Sequence, residues 1–205
     1  VMDGDLVWVA DNTYGLIYQD RVNYIQKNFH ISGPYSYSAE SFCSHNGVLA
    51  VVPGSRKGAA YSNCWQFPAY SCFENQTWYY NATDFKTFEP DHNVYDLTNI
   101  IINPMNEREW FIASWGSGLY RLYDRKIVER FTPKNSTLDS TENGSIFVSG
   151  LAFDAKNNLW MTNSMCENML KMMEPDGTWH QYNISRGVLA GSYDNVVANH
   201  LLIDS

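Results

Sequence analysis

The sequence predicts an all-β protein, and specifically a β-propeller. Two observations lead to this fold class. A short hairpin motif with an aromatic first strand recurs along the chain, and each copy is flanked by a further strand on either side. Four short strands that repeat roughly every 40 to 50 residues are typical of propeller blades. A β-sandwich also contains many short strands, but it gives no reason for one motif to recur.

The clearest copy of the motif lies at residues 109–124, which read EWFIASWGSGLYRLYD. Apolar, β-prone residues at 110–114 form the predicted first strand, and residues 119–123 form the second. Between the two strands, Gly116 and Gly118 supply the positive φ angles that a tight reversal needs. We therefore predict a β-hairpin at this position.

The same motif opens three further units. Residues 7–17 (VWVADNTYGLI) repeat the order of aromatic strand, polar bend and Gly-Leu, and residues 159–163 (LWMTN) open another copy. In that last copy we expect Asn168 to take the place of the turn glycine, because asparagine enters the left-handed region more readily than most residues. Residues 47–54 open a unit that departs from the pattern through an insertion of small residues, cysteines and aromatic residues.

These repeats set the predicted blade boundaries. We expect about four blade equivalents, each of four antiparallel strands, at residues 1–32, 33–90, 91–140 and 141–185. Residues 194–205 repeat a first strand, which either opens the next blade or closes a ring with the first blade. We favour the next blade, so that the chain is a fragment of a larger, seven-bladed propeller.

Charge and hydropathy argue against two classes of partner. The formal net charge is −8, and the 14 lysines and arginines are scattered along the chain. Nucleic-acid binding depends on clustered basic residues, so we expect no nucleic-acid partner. No apolar run reaches about 18 residues, so the sequence predicts no membrane-spanning helix.

Four cysteines raise the question of a disulfide. Cys64 and Cys72 flank the inserted loop and are the candidate pair, with free thiols as the alternative. Their spacing is wrong for a zinc ribbon, and the five histidines are dispersed. We therefore expect neither a metal site nor a cofactor.

No motif of a known catalytic site is present. The sequence has no HExxH, no GxSxG and no Walker loop. Residues 176–179 (DGTW) have the residue types of the sialidase Asp-box, but the box spaces these residues more widely. We predict a type I′-like hairpin turn at Asp176-Gly177 instead. Residues 154–158 (DAKNN) lack the glycine and glutamate of an EF-hand loop and predict a strand-connecting turn. The chain is expected to be non-enzymatic.

Two stretches carry a family resemblance. Residues 151–163 (LAFDAKNNLWMTN) and 114–124 (SWGSGLYRLYD) resemble the two-component-regulator propeller repeat of Bacteroidetes. Residues 7–17, 49–54 and 101–120 are similar to β-propeller accessory proteins of the type IX secretion system. The resemblance implies an extracytoplasmic, non-catalytic module, in the periplasm or at the cell surface, whose parent chain carries further blades or domains.

The function implied is binding of a glycan or protein partner at the propeller rim, within a secretion accessory protein. Residues in the predicted bends, Asn12, Tyr14, Trp115 and Asn163, are the expected ligand contacts, because aromatic rings stack on sugars and amides hydrogen-bond to them. For Trp115, packing between blades is the alternative. Two other functions stay open: a periplasmic ligand-sensing propeller of a hybrid two-component regulator, and a propeller-fold glycosidase or lyase.

Overall fold

A computed structural model describes most of the chain, and the regular structure in it is almost entirely β-strand. The described residues are 2–11, 15–29, 32–36, 38–54, 56–57, 62–183, 197–198 and 200–204. The chain divides into two compact units, Val1–Gly33 and Pro34–Ser205. Neighbouring strands pair antiparallel, so the predicted all-β class is confirmed.

The first unit is one antiparallel sheet. Its strands, paired in chain order, are β1 (Met2–Asp3), β2 (Leu6–Asp11), β3 (Gly15–Asp20) and β4 (Ile25–Phe29). Trp8 on β2 lies opposite Tyr18 on β3, and their ring centroids are 5.3 Å apart. The aromatic residue of the repeat thus lies on the second of the four strands, which is the first strand of the hairpin motif.

The second unit begins with a sheet that is interrupted by the insertion. Its strands are β5 (Ser41–His45), β6 (Val48–Val52), β9 (Tyr70–Glu74) and β10 (Thr77–Asn81). The insertion between β6 and β9 carries a short pair, β7 (Arg56–Lys57) and β8 (Ser62–Asn63). A five-residue helix, α1 (Asp84–Phe88), follows β10.

Two regular four-stranded sheets complete the second unit. The first contains β11 (Leu97–Ile102), β12 (Glu109–Gly116), β13 (Gly118–Tyr123) and β14 (Lys126–Phe131). The second contains β15 (Ile146–Phe153), β16 (Leu159–Ser164), β17 (Leu170–Met173) and β18 (Trp179–Tyr182). The end of β12 also pairs with β15, where Trp115 lies opposite Phe147.

The β11–β14 sheet is buried on both faces, because successive side chains of a strand point to opposite sides. On β12, Trp110 and Ile112 enter a core shared with the β5–β10 sheet, in which Ala50 and Tyr70 are buried. Phe111 and Ala113 enter a second core shared with the β15–β18 sheet. The three sheets of this unit therefore stack face to face, as propeller blades do.

The segment 194–205 is described in part. Val197, Ala198 and residues 200–204 form no strand. The Ala198 carbonyl accepts hydrogen bonds from Ser149 Oγ at 2.6 Å and Thr162 Oγ1 at 3.0 Å. These contacts place Ala198 against β15 and β16.

Two predicted turns differ in the structure. After β16 the positive φ belongs to Met165 (59°) and not to Asn168, because the reversal begins at the first residue after the strand. At the β17–β18 turn only Gly177 has a positive φ (89°). A type I′ turn needs positive φ at both central residues, so Asp176-Gly177 is instead the end of a three-residue loop closed by the Glu174–Thr178 pair.

The turn predicted at residues 154–158 is confirmed, and Asp154 organises it. The carboxylate accepts hydrogen bonds from the backbone N–H groups of Lys156 and Asn158, both at 2.9 Å, and from Trp160 Nε1 at 2.9 Å. Burial acts to raise the pKa of Asp154. The hydrogen bonds to Trp160 and Asn158 outweigh it, so the pKa lies below its ordinary value of 3.8.

We expect Asp154→Asn to reduce the loss of stability in acid. Because the folded-state pKa is lowered, the contribution of the carboxylate to the free energy of unfolding is present above about pH 4 and is lost as the pH falls through the folded value. Urea unfolding from pH 7 to pH 2.5 measures this loss. The exposed Asp91→Asn should keep the wild-type pH dependence. A wild-type pH dependence in Asp154→Asn would contradict the assignment.

Candidate functional site

The candidate site is built on the insertion between β6 and β9, and Asp96 anchors it. The Asp96 side chain is fully buried. Its Oδ2 accepts hydrogen bonds from Asn63 Nδ2 and Cys64 N, both at 2.9 Å, and from Trp65 N at 3.0 Å. Its Oδ1 accepts one from Gln66 N at 2.9 Å. The four hydrogen bonds to this carboxyl group fix four consecutive residues, 63–66, with one side chain.

The backbone of Asp96 extends this anchor to the end of β12. Its N–H donates to Gln66 O at 3.1 Å, and its carbonyl accepts from Trp115 N at 2.8 Å. Asn63 Nδ2 also donates to Trp115 O at 2.6 Å. The insertion is therefore held against a strand of the buried sheet.

This anchoring presents aromatic rings to solvent. Trp65 is 68% exposed and Phe67 is 53% exposed. The Tyr95 ring meets Trp65 edge-on, with centroids 5.3 Å apart and an interplanar angle of 82°. Trp65 has a φ of 60°, which is unusual for a large side chain and is held by the Asp96 hydrogen bonds. Exposed aromatic groups on a fixed backbone are typical of binding surfaces.

A cavity of about 460 Å³ adjoins Trp65 and Tyr95, and its lining is polar but almost uncharged. We call this cavity with its two aromatic residues the Trp65 surface. The other lining residues are Asn63, His92, Asn93, Trp115, Gly116, Ser117, Asn143, Gly144 and Ser145. A neighbouring cavity of about 610 Å³ beside α1 shares His92, Asn93 and Tyr95 with it.

His92 is a titratable residue of this lining, and its surroundings shift its pKa. Its Nε2 lies 3.1 Å from Ser117 Oγ. Burial lowers the pKa of His92, and the positive charge of Arg130 lowers it further. The negative charge of Glu89 acts to raise the pKa but does not outweigh them. The imidazole is therefore neutral at pH 7. The nearby Arg130 is itself paired with Glu89 at 3.0 Å, so its charge is already balanced.

The predicted contacts Trp115 and Asn163 lie within β12 and β16 and not in bends. Trp115 is 1% exposed, its ring packs 4.7 Å from Phe147, and it forms part of the cavity wall. Asn163 is fully buried, and its Oδ1 accepts a hydrogen bond from Asp139 N at 2.6 Å. Their placement in bends is wrong, because both strands continue further than the glycine pattern indicated. Direct ligand contact by either side chain stays a prediction. Asn12 and Tyr14 lie outside the described residues.

The candidate disulfide is not formed. All four cysteines, including Cys64 and Cys72, are free thiols. Cys72 points into the core from β9, whereas the Cys64 backbone is held by Asp96. The insertion is thus secured by hydrogen bonds to a carboxylate and not by a covalent bridge. Burial raises the pKa of Cys72, which keeps this thiol protonated.

Neither a metal-ligating cluster nor a long apolar helix is found in the described part of the chain. No three His, Cys, Asp or Glu side chains within it are grouped to hold a metal ion. No helix among the described residues has the length and apolar character needed to cross a membrane.

The stacked four-stranded sheets define the chain as a β-propeller, and comparison with solved structures agrees. The chain is similar to PorZ, an essential bacterial surface component of the type IX secretion system of Porphyromonas gingivalis, with a TM-score of 0.65 and 19% identity over 88% of this chain. It is also similar to the extracellular domain of BT4673 from B. thetaiotaomicron, described as a one-component system, with a TM-score of 0.50 and 13% identity over 99% of this chain.

The chain spans about a quarter of each of these proteins, 25% of the PorZ chain and 24% of the BT4673 chain. No protein-family model matches the chain, and no curated protein sequence matches it. At this level of identity the similarity shows the fold. The resemblance to propellers of these two kinds, predicted from the repeat motif, is therefore confirmed at the level of structure.

Proposed function

We propose that this chain is a non-catalytic, extracytoplasmic propeller module that binds a neutral glycan through the Trp65 surface. The observation that carries the proposal is the exposed Trp65 ring on a backbone fixed by Asp96. The apolar face of a sugar ring packs on an exposed indole, while its hydroxyl groups hydrogen-bond to amide and hydroxyl side chains. Asn93, Asn143 and Ser145 offer such groups in the same lining.

The charge of the lining favours a neutral ligand. None of the lining residues that the structure describes is an aspartate, glutamate, lysine or arginine. An acidic sugar would need a cation to pair with its carboxylate, and the nearby Arg130 is already paired with Glu89. A glycosidase uses two carboxylates that flank the scissile bond. The described lining contributes none, which supports binding over hydrolysis.

The extracytoplasmic location and the larger assembly are part of the proposal. They are supported by the fold shared with PorZ, a bacterial surface component of a secretion system, and with the extracellular domain of BT4673. We propose that the module serves within a secretion accessory protein at the cell surface. The likeness to BT4673 favours a second candidate, a ligand-sensing propeller of a regulator.

Trp65→Ala tests the glycan proposal. We expect the variant to lose about fivefold or more in affinity for a neutral oligosaccharide, since stacking contributes on the order of 1 kcal/mol. Isothermal titration with cellohexaose, maltohexaose and mannohexaose, and with hexagalacturonate as the acidic comparison, provides the measurement.

Phe42→Ala is the matched control, because Phe42 is 71% exposed and lies on β5, outside this lining. The control should bind as the wild type does. Full affinity in a folded Trp65→Ala variant, or no binding of any neutral oligosaccharide by the wild type, would overturn the proposal.

A further inference from the structure

A third cavity lies at the opposite end of β12, between the β11–β14 and β15–β18 sheets. Its volume is about 460 Å³. Four aromatic rings line it in two pairs: Phe111 and Phe153 are 6.0 Å apart, and Phe131 and Trp179 are 5.2 Å apart. Because β12 carries Phe111 near its start and Trp115 near its end, this cavity does not belong to the Trp65 surface. We call it the interblade cavity.

The polar part of this lining is acidic. Four carboxylates, those of Glu109, Glu129, Glu174 and Asp176, face a single guanidinium, that of Arg121. Arg121 lies 3.0 Å from Glu129 and 3.7 Å from Glu109. On the other wall, Glu174 pairs with His180 Nε2 at 2.6 Å. The excess charge is negative, on a chain whose formal net charge is −8.

Two buried atoms of the lining have no hydrogen-bond partner among the described residues. They are Asn157 Oδ1, an acceptor, and Arg121 Nε, a donor. Both atoms are covered by neighbouring groups, so it is the aromatic rings and the carboxylates that a ligand in the cavity can contact.

We propose that the interblade cavity binds a lysine or arginine side chain of a partner protein. The aromatic rings attract the cation through their negative faces, and the carboxylates at the rim balance its charge. The apolar walls accommodate the methylene stem of the side chain. This site is independent of the glycan proposal, since it shares no residue with the Trp65 surface.

The test uses a fluorescein-labelled peptide of alternating lysine and serine, and the same peptide with every lysine acetylated. Acetylation removes the charge and keeps the length. We expect the lysine peptide to bind at least tenfold more tightly by fluorescence anisotropy, and to weaken as salt is raised from about 50 to about 200 mM. In the wild type, the lysine peptide should also shift the indole N–H resonance of Trp179.

The variant Glu129→Gln/Glu174→Gln should weaken binding at least tenfold. Its matched control is Glu142→Gln/Glu167→Gln, which makes the same change in net charge with two exposed residues at the other end of the β15–β18 sheet. The control should bind as the wild type does. Equal weakening by both double variants would mean general attraction to a negative surface and would overturn the proposal. The proposal would also be overturned if the lysine peptide left the indole N–H resonance of Trp179 unmoved in the wild type. This measurement does not depend on the folding of any variant.

Discussion

Replacing Asp96 with asparagine is expected to lower the free energy of unfolding by about 2–4 kcal/mol and to abolish ligand binding at the Trp65 surface. The Asp96 carboxylate accepts four hydrogen bonds in a fully buried position. An asparagine has the same shape and tolerates the φ of 49° at this position. It offers one acceptor oxygen in place of two, so at least one buried N–H then faces an amide N–H group.

Urea unfolding and titration with the neutral oligosaccharides measure the two effects of Asp96→Asn. Asp91→Asn removes an exposed carboxylate five residues away and should change the free energy of unfolding by no more than about 0.5 kcal/mol. A variant with wild-type stability would show that the Asp96 network does not hold the insertion. A destabilised variant that still binds the oligosaccharides would show that the Asp96 hydrogen bonds are not needed for binding at the Trp65 surface.

Gly54→Ala is expected to destabilise the protein at least as much as Asp96→Asn does. The free energy of unfolding should fall by about 3 kcal/mol, or the variant should fail to fold. A Cβ built on Gly54 would lie 1.8 Å from Leu97 O and 2.3 Å from Leu97 C. These are backbone atoms, so the segment after β6 and the start of β11 would have to move apart. Leu97 directly follows Asp96, and the shift would disturb the same anchor.

Gly47→Ala separates this clash from the usual cost of replacing a glycine. Gly47 has a φ of 79°, but a Cβ added there would meet nothing within 4 Å. The free energy of unfolding should fall by only about 1–2 kcal/mol in Gly47→Ala, which is the cost of a left-handed backbone for an alanine. The midpoint of thermal unfolding compares the two variants. Equal midpoints would contradict the close approach at Gly54.

The sequence indicated the strands well because each strand follows from its own residues. The continuous apolar run of residues 110–113 predicts a strand whichever sheets pack on it, and the two cores confirm a strand buried on both faces. Turns were less well predicted. At Met165 the position of the bend was decided by where β16 ends, and the asparagine three residues later did not take the positive φ.

Among the predicted contacts that the structure describes, Trp115 lines the candidate site, and the rest of the site was not predicted because it depends on contacts that are distant along the chain. Asp96 follows Trp65 by 31 positions, and no local pattern indicates that its carboxylate accepts the Trp65 N–H. The available signal was the aromatic-rich insertion itself, which broke the repeat. Trp115 was predicted as a ligand contact in its place, because the glycines beside it indicated a reversal. The strand nevertheless carries Trp115 to a pairing with Phe147 inside the protein.

β12 spans about 23 Å over its eight residues, at about 3.3 Å per residue, and the two proposed sites lie near its opposite ends. The strand is buried on both faces and holds the spacing of the two sites fixed. The module would then work as an adaptor, holding a carbohydrate on one side and a protein on the other at once. Saturation with one should leave the dissociation constant for the other unchanged.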